Sequence, residues 1–269
     1  MSKLNEEKIA AFMGDHPWAD RLTVFDTVES TNDLAKQLAF AGAPEGTAVI
    51  AEAQTRGRGR MGRSFCSPAG QGIYLSVILR PGVKPTELMH LTAAAAEAMA
   101  EAVEAQTGLS CGVKWVNDLI CGGKKLAGIL TELSVKPDGL TDYIVIGVGV
   151  NCCQSSEDFP PEIAELATSV AAQTGSIPDR SALCASMLEA FSRLSETLLS
   201  EKAAWMARYR SRCVTLGKPV QVLHPSGTRE AFALDIDENG ALEVKYPDGT
   251  CAFVSSGEVS VRGLYGYIS

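Results

Sequence analysis

The sequence predicts a mixed α/β fold, a sheet flanked by helices, with a small all-β module behind it. Three observations carry this. Strand-like apolar runs alternate with helical patterns from residue 21 to 151, a helical stretch covers 158–212, and short β runs separated by turn residues follow Leu216-Gly217-Lys218-Pro219. At 269 residues and 46% hydrophobic content, the chain can bury the core of one large domain or one and a half. A boundary is expected between 1–213 and 214–269.

Residues 3–15 read as a short amphipathic helix, followed by Pro17 and a strand over 21–28. A lead of roughly 20 residues is too short for a helix-turn-helix module, so no N-terminal DNA-binding domain is expected. Ser30-Thr31-Asn32-Asp33 opens the next helix, with Leu34, Leu38 and Ala41 on one face and Ser30 and Thr31 as cap residues. Strands at 47–54 and 73–80 flank the segment QTRGRGRMGRSF, Gln54 to Phe65. Residues 86–107 form an alanine-rich helix stopped by Gly108. GVKWVNDLIC and KKLAGILTEL read as two strands joined by Gly122-Gly123, a strong hairpin signal. A structural hairpin carries charge at its tip, which explains Lys124 but explains Lys114, Asn117 and Asp118 less well. YIVIGVGVN, 143–151, is a buried strand with Gly147 and Gly149 inside it, where something must approach closely. A last long helix is expected over 179–210, and VQVLH, REAFALDI, ALEVKY, CAFV and EVSVRG supply the β module.

The chemistry is concentrated between Gln54 and Phe65, where Arg56, Arg58, Arg60 and Arg63 interleave with Gly57, Gly59 and Gly62. Four guanidinium groups in eight residues cannot be buried unpaired, so the loop lies at the surface or closes on an anion. Arginine forks hold phosphate or carboxylate bidentately, and the glycines let backbone N–H groups come close. So glycine-rich a loop is expected to be disordered when empty and to order as a lid over ligand. The glycines spell G-x-G-x-x-G, but a strand follows where a dinucleotide site needs a helix, and no G-K-[ST] makes a Walker A loop. An RNA-binding arginine–glycine tract is the rival from a different class. Net charge −8 makes the cluster a local exception on an acidic body and favours a small anion over nucleic acid. Eight cysteines without a C-x-x-C pair, no apolar span and no leading hydrophobic run imply reduced thiols in a cytoplasmic protein away from any membrane. Scattered His16, His90 and His224 argue against a zinc site or a Ser-His-Asp triad, and no protein metal site is expected.

Three segments in order, QTRGRGRMGRSF, KWVNDLICGGKKLAGIL and VIGVGVN, resemble biotin protein ligases from Ser30 to Asn151, and the β module resembles that family's C-terminal barrel. The resemblance implies a fold related to class II aminoacyl-tRNA synthetases and lipoate ligases, in the short form without a repressor domain. It implies Mg²⁺-ATP-dependent activation of biotin as biotinyl-5′-AMP and transfer to a lysine of a biotin carboxyl carrier protein, of acetyl-CoA carboxylase or another biotin-dependent carboxylase. No DNA partner is implied, and there is room for a homodimer. By motif, Ser30, Thr31, Gln54 and Arg58 would contact biotin, and Gly57, Gly128 and Gly147 would let backbone approach it. Arg60, Arg63 and Phe65 would meet the adenylate, Lys125 would neutralise the carboxylate and α-phosphate, and Asn151 would meet the nucleotide. Asn32, Lys114 and Asn117 complete the binding set; Asp118 would orient Mg²⁺ or the incoming amine, joining Lys125 and Arg60 as catalytic groups. Phe65 stands where the family commonly has tryptophan, and Val116 where it has proline. A lipoate or octanoate ligase or transferase of the same fold is the nearest alternative.

Overall fold

The computed structural model describes residues 3–224, 227–255 and 260–263. Helix α1 (Glu6–Met13) is capped by Asn5, whose side chain accepts from the Lys8 N–H. It leads into β1 (Leu22–Val28), α2 (Thr31–Phe40) and β2 (Ala48–Gln54), a unit in which β1 and β2 run parallel. Ser30 is the N-cap of α2, as its sequence position predicts. Then come β3 (Gly72–Leu79), α3 (Leu91–Thr107), β4 (Gly112–Lys114), β5 (Asp118–Cys121), β6 (Lys124–Val135) and β7 (Thr141–Asn151). Together the strands form a seven-stranded mixed sheet ordered β1-β2-β3-β7-β6-β5-β4.

Side-chain alternation divides the two faces of this sheet. Ile73, Leu75, Val77, Ile144, Ile146, Val148 and Ile129 point to the main core, under α3 and the helices α5 (Arg180–Thr197) and α6 (Lys202–Arg212) that follow the short α4 (Val170–Thr174). Val49, Ile78, Tyr143 and Val145 pack instead with Ala35 and Ala39 of α2. Ser76, Gly147 and Gly149 are in register with this second face. A cavity lies on that face, lined by Gly147 and Gly149.

Two expectations change. The first predicted hairpin strand breaks into β4 and β5 around Trp115–Asn117, with a cis peptide between Trp115 and Val116. Trp115 has partners outside the sheet: its indole N–H donates to the Gly240 carbonyl (3.0 Å) and its backbone N–H to Thr215 Oγ1 (2.9 Å). The single long helix expected over 179–210 divides at 198–201. There His90 Nε2 lies 2.9 Å from the Leu198 carbonyl and the Trp205 indole donates to Thr197 Oγ1 (3.0 Å). Those partners lie 108 and eight residues apart in sequence, so no local breaker announces the bend.

The hairpin tip is as predicted, with Gly122 and Gly123 both at positive φ (52° and 84°). After Cys213 the chain forms β8 (Pro219–His224), β9 (Gly227–Ile236), β10 (Leu242–Lys245), β11 (Cys251–Val254) and β12 (Ser260–Gly263), a five-stranded antiparallel sheet ordered β11-β10-β9-β8-β12. Val220, Ala233, Ile236, Leu242 and Val244 join the same apolar cluster as the large sheet. Among the described residues, no helix is long and apolar enough to cross a membrane.

Candidate active site

The cavity measures about 460 Å³, within the range of small-molecule sites. It runs along β6 and β7 beneath the arginine–glycine loop, and its axis can be followed on the ladder, where Gly128 faces Gly149 and Leu130 faces Gly147. The space a Cβ would take at Gly147 is filled by the Asn32 amide, whose Oδ1 would lie at 1.7 Å. At Gly149 the Phe65 ring takes it, 2.4 Å from the same construction. Both strand glycines therefore accommodate side chains of this protein, one from α2 and one from the loop, and these side chains form the wall a ligand would meet.

Lys125 reaches the cavity through a one-residue bulge. Leu119 pairs with Ala127 and Ile120 with Lys125, leaving Leu126 as the extra residue. Without the bulge, strict alternation would put Lys125 on the core face with Ala127 and Ile129. Its backbone is clamped from outside the sheet: its N–H donates to the Leu166 carbonyl (2.7 Å) and its carbonyl accepts from the Thr168 N–H (2.9 Å). The ammonium lies 2.7 Å from Asp118 Oδ1, and a Cβ on Gly128 would come within 3.1 Å of Nζ. Lys124, next in sequence, is more exposed and pairs at 3.6 Å with exposed Glu165.

The loop over the cavity is folded on itself. Gly59 donates to the Arg63 carbonyl (2.7 Å) and Phe65 to the Gly57 carbonyl (2.8 Å), around a short 3₁₀ turn, Arg60–Gly62. Arg58 pairs with Asp33 at 2.5 Å, and Arg60 donates to Asn117 Oδ1 (3.1 Å). The expectation of a disordered empty loop thus meets a loop fastened at two arginines. The glycines supply the bends, and the carboxylate and amide acceptors on α2 and after β4 were not visible as its partners in the sequence. Burial pushes the Arg60 guanidinium below its ordinary pKa, with Arg63 adding to the effect and Asp118 opposing it. Cations crowded in this way favour an anion between them. The described wall carries Arg58, Arg60, Arg63, Lys114 and Lys125 against a single carboxylate, Asp118.

Beyond Phe65 the wall is neutral and polar. The Thr31 backbone N–H donates to Gln54 Oε1 (2.9 Å), and Gln54 Nε2 donates to Ser67 Oγ (2.9 Å). Residues 24–151 match the Biotin/lipoate A/B protein ligase family, and residues 215–262 match the Biotin protein ligase C terminal domain. The chain is 34% identical to the bifunctional ligase/repressor BirA of Bacillus spizizenii, over 92% of this chain and 76% of that one. It is 32% identical to the biotin--[acetyl-CoA-carboxylase] ligase of Mycobacterium tuberculosis, over 95% and 93%.

The chain belongs to the biotin protein ligase family. A biotin protein ligase of Aquifex aeolicus, solved in complex with biotin and ATP, superimposes with a TM-score of 0.76 at 29% identity, covering 90% of this chain and 99% of the other.

Of the residues this family's motifs single out, Ser30, Thr31, Asn32, Gln54, Arg58, Arg60, Arg63, Phe65, Lys114, Asn117, Asp118, Lys125, Gly128 and Gly147 line the one cavity. Gly57 and Asn151 do not. A Cβ on Gly57 would strike the Phe65 carbonyl at 2.4 Å, so that glycine serves the loop's own closure. Buried Asn151 donates to the Thr168 carbonyl (3.0 Å) and so secures the segment that clamps Lys125. Sequence reasoning missed Trp115, Leu130 and Leu166 on the wall, apolar residues that carry no chemical signature.

Proposed function

We infer that this protein activates biotin with ATP and transfers the biotinyl group to a lysine of a biotin carboxyl carrier protein. The observation that carries this is the Lys125 ammonium, bulged onto the cavity face beside Asp118, on the same wall as Arg60 and Arg63. In the first step a biotin carboxylate oxygen attacks the α-phosphorus of ATP. The new O–P bond replaces the bond to pyrophosphate, which leaves. In the second step the carrier amine attacks the acyl carbon, the C–O bond to AMP breaks, and the amine loses its proton. Neither step needs a protein nucleophile, so positioning and charge neutralisation set the rate.

Lys125 meets the oxygens where negative charge gathers, and Arg60 and Arg63 face the phosphates. Asp118 holds the ammonium in place, a positioning part in addition to any contact with the incoming amine. Among the described residues no cluster of three or more metal-ligating side chains occurs, and Asp118 is the carboxylate on the wall. Asp118 would be the protein contact of a Mg²⁺ ion brought with the triphosphate, and the ion would supply neutralisation of phosphate charge.

Support for biotin over lipoate comes from the C-terminal match, which bears the biotin ligase name alone, and from relatives named for acetyl-CoA carboxylase. Two of the loop's four arginines, Arg58 and Arg60, turn inward to Asp33 and Asn117, which favours a small anion over an RNA tract. We take residues 1–213 as the adenylating unit and 214–269 as a second unit resting on Trp115, in a cytoplasmic protein acting on a carboxylase carrier. Biotin-dependent exchange of labelled pyrophosphate into ATP tests the function. Exchange driven by lipoate and not by biotin would transfer it to the lipoate reading. RNA binding that weakens steeply with salt, without exchange, would refute both.

A further inference from the structure

We propose that Glu132 is a positioning residue that locks the wall of the biotin seat and the arginine–glycine loop to one another, so that seat and lid move as a unit. This rests on the function proposed above. Glu132 lies on the cavity-side register of β6, four residues beyond Gly128, and none of the family motifs quoted above contains it. Its two carboxylate oxygens are used separately. Oε2 accepts from Asn32 Nδ2 (2.8 Å), and Oε1 takes Lys36 Nζ at 2.9 Å and lies 3.4 Å from Arg58 Nη1.

Asn32 shows why this matters. Its amide donates to Glu132 and, at 3.4 Å, to the Leu130 carbonyl, so both N–H groups are spent before any ligand arrives. Its Oδ1 lies 2.7 Å from the Ser76 hydroxyl. Held at both ends above Gly147, Asn32 acts as fixed wall, and Glu132 fixes it.

The lid side is an alternating square of charge. Lys36 bridges Asp33 (2.8 Å) and Glu132 (2.9 Å), and Arg58 reaches both carboxylates, at 2.5 and 3.4 Å. Two cations and two anions cancel, which lets a partly buried glutamate sit at a ligand pocket without a counter-ion from solvent. Replacing Glu132 by a neutral group leaves the square with one surplus positive charge and removes the second of Arg58's two carboxylate partners.

A polar chain also runs under the seat to the other end of the loop. Ser76 is fully buried and has one proton for two oxygens, Asn32 Oδ1 and, at 2.8 Å, Thr31 Oγ1. Donating to Asn32, it accepts from Thr31. From Thr31 the chain passes through Gln54 to Ser67, whose hydroxyl donates to the Phe65 carbonyl (3.0 Å). Arg58 and Phe65, near the two ends of the lid, are thus joined beneath the seat.

The test uses the full-length protein and Glu132→Gln. Three quantities are read: labelled-biotin binding by equilibrium dialysis, tryptic cleavage between Arg56 and Arg63 with and without saturating biotin, and pyrophosphate exchange. In the wild type, biotin is expected to slow loop cleavage. In Glu132→Gln we expect the biotin dissociation constant to rise about tenfold, the worth of one charge-assisted hydrogen bond. Saturating biotin should no longer protect the loop, while kcat for exchange stays within about threefold, because Lys125 and the arginines remain. A merely structural residue would lower melting temperature and kcat together and leave biotin protection intact in the folded fraction. That pattern, or full protection in the variant, overturns the inference. If Glu132→Gln does not fold, Glu132→Asp keeps the charge but is one methylene too short to serve Asn32 and Arg58 at once, and the same loss of protection is expected. A wild-type protein that binds no biotin overturns the function itself; wild-type binding with an unaltered variant lid overturns this inference alone.

Discussion

The two ends of the cavity solve recognition differently. At the Asn32 end the wall groups are bonded to one another, through Thr31, Gln54, Ser67 and Ser76, and the Arg58 cation is matched by Asp33 and Glu132. At the Lys125 end cations crowd together, with Asp118 as their carboxylate. A prebonded wall discriminates by shape and by its few remaining lone pairs, since a misfit ligand leaves buried polar groups unpaired. A cationic wall accepts any anion of suitable geometry and does its work where charge develops. Changes at the first end should therefore alter affinity for the small ligand, and changes at the second should alter the rate.

The largest effect is expected for Lys125→Ala. A unit charge at ~4 Å in a partly desolvated site interacts by ~4 kcal/mol, against ~1 in bulk water. Part of that acts on the ground state, so the barrier should rise by about 2 to 4 kcal/mol, or roughly 30- to 1000-fold in adenylation rate measured by single-turnover formation of biotinyl-AMP. Next is Gly147→Ala, whose new methyl would sit 1.7 Å from Asn32 Oδ1. Asn32 is held at both ends and cannot yield cheaply. Overpacking costs about 1 to 3 kcal/mol, so biotin affinity by dialysis should fall roughly 10- to 100-fold. Gly149→Ala presses on the Phe65 ring, the far end of a side chain on a loop that can give way. Its effect should be a rise in KM for ATP of about three- to tenfold, at or below the low end of that cost. Smallest is Lys124→Ala, which removes a solvent-screened pair with Glu165 and should leave exchange within about twofold of wild type.

Much of this was legible in the sequence. The strands β2, β3, β6 and β7 could be placed because alternation and the Gly122-Gly123 turn are local signals. Fourteen motif residues came together because the motif itself encodes them. What escaped depends on contacts distant in sequence. The bulge at Leu126 changes which face Lys125 occupies, yet it is set by the pairing of Lys125 with Leu166 and Thr168, some 40 residues on. The break at Trp115–Asn117 depends on Gly240 and Thr215, and the bend after α5 on His90. Glu132 and Ser76 read as ordinary strand residues until the structure brings Asn32 between them.

The division between the ends is tested most directly by steady-state pyrophosphate exchange at varied biotin and ATP, comparing wild type, Gly147→Ala and Lys125→Ala in one assay. Gly147→Ala should raise KM for biotin at least tenfold with kcat within about threefold, and Lys125→Ala should lower kcat at least 30-fold with biotin affinity within about threefold. Lys125→Ala exchanging at near wild-type rate, or both variants losing affinity and rate in the same proportion, would contradict a cavity with one end for binding and one for charge.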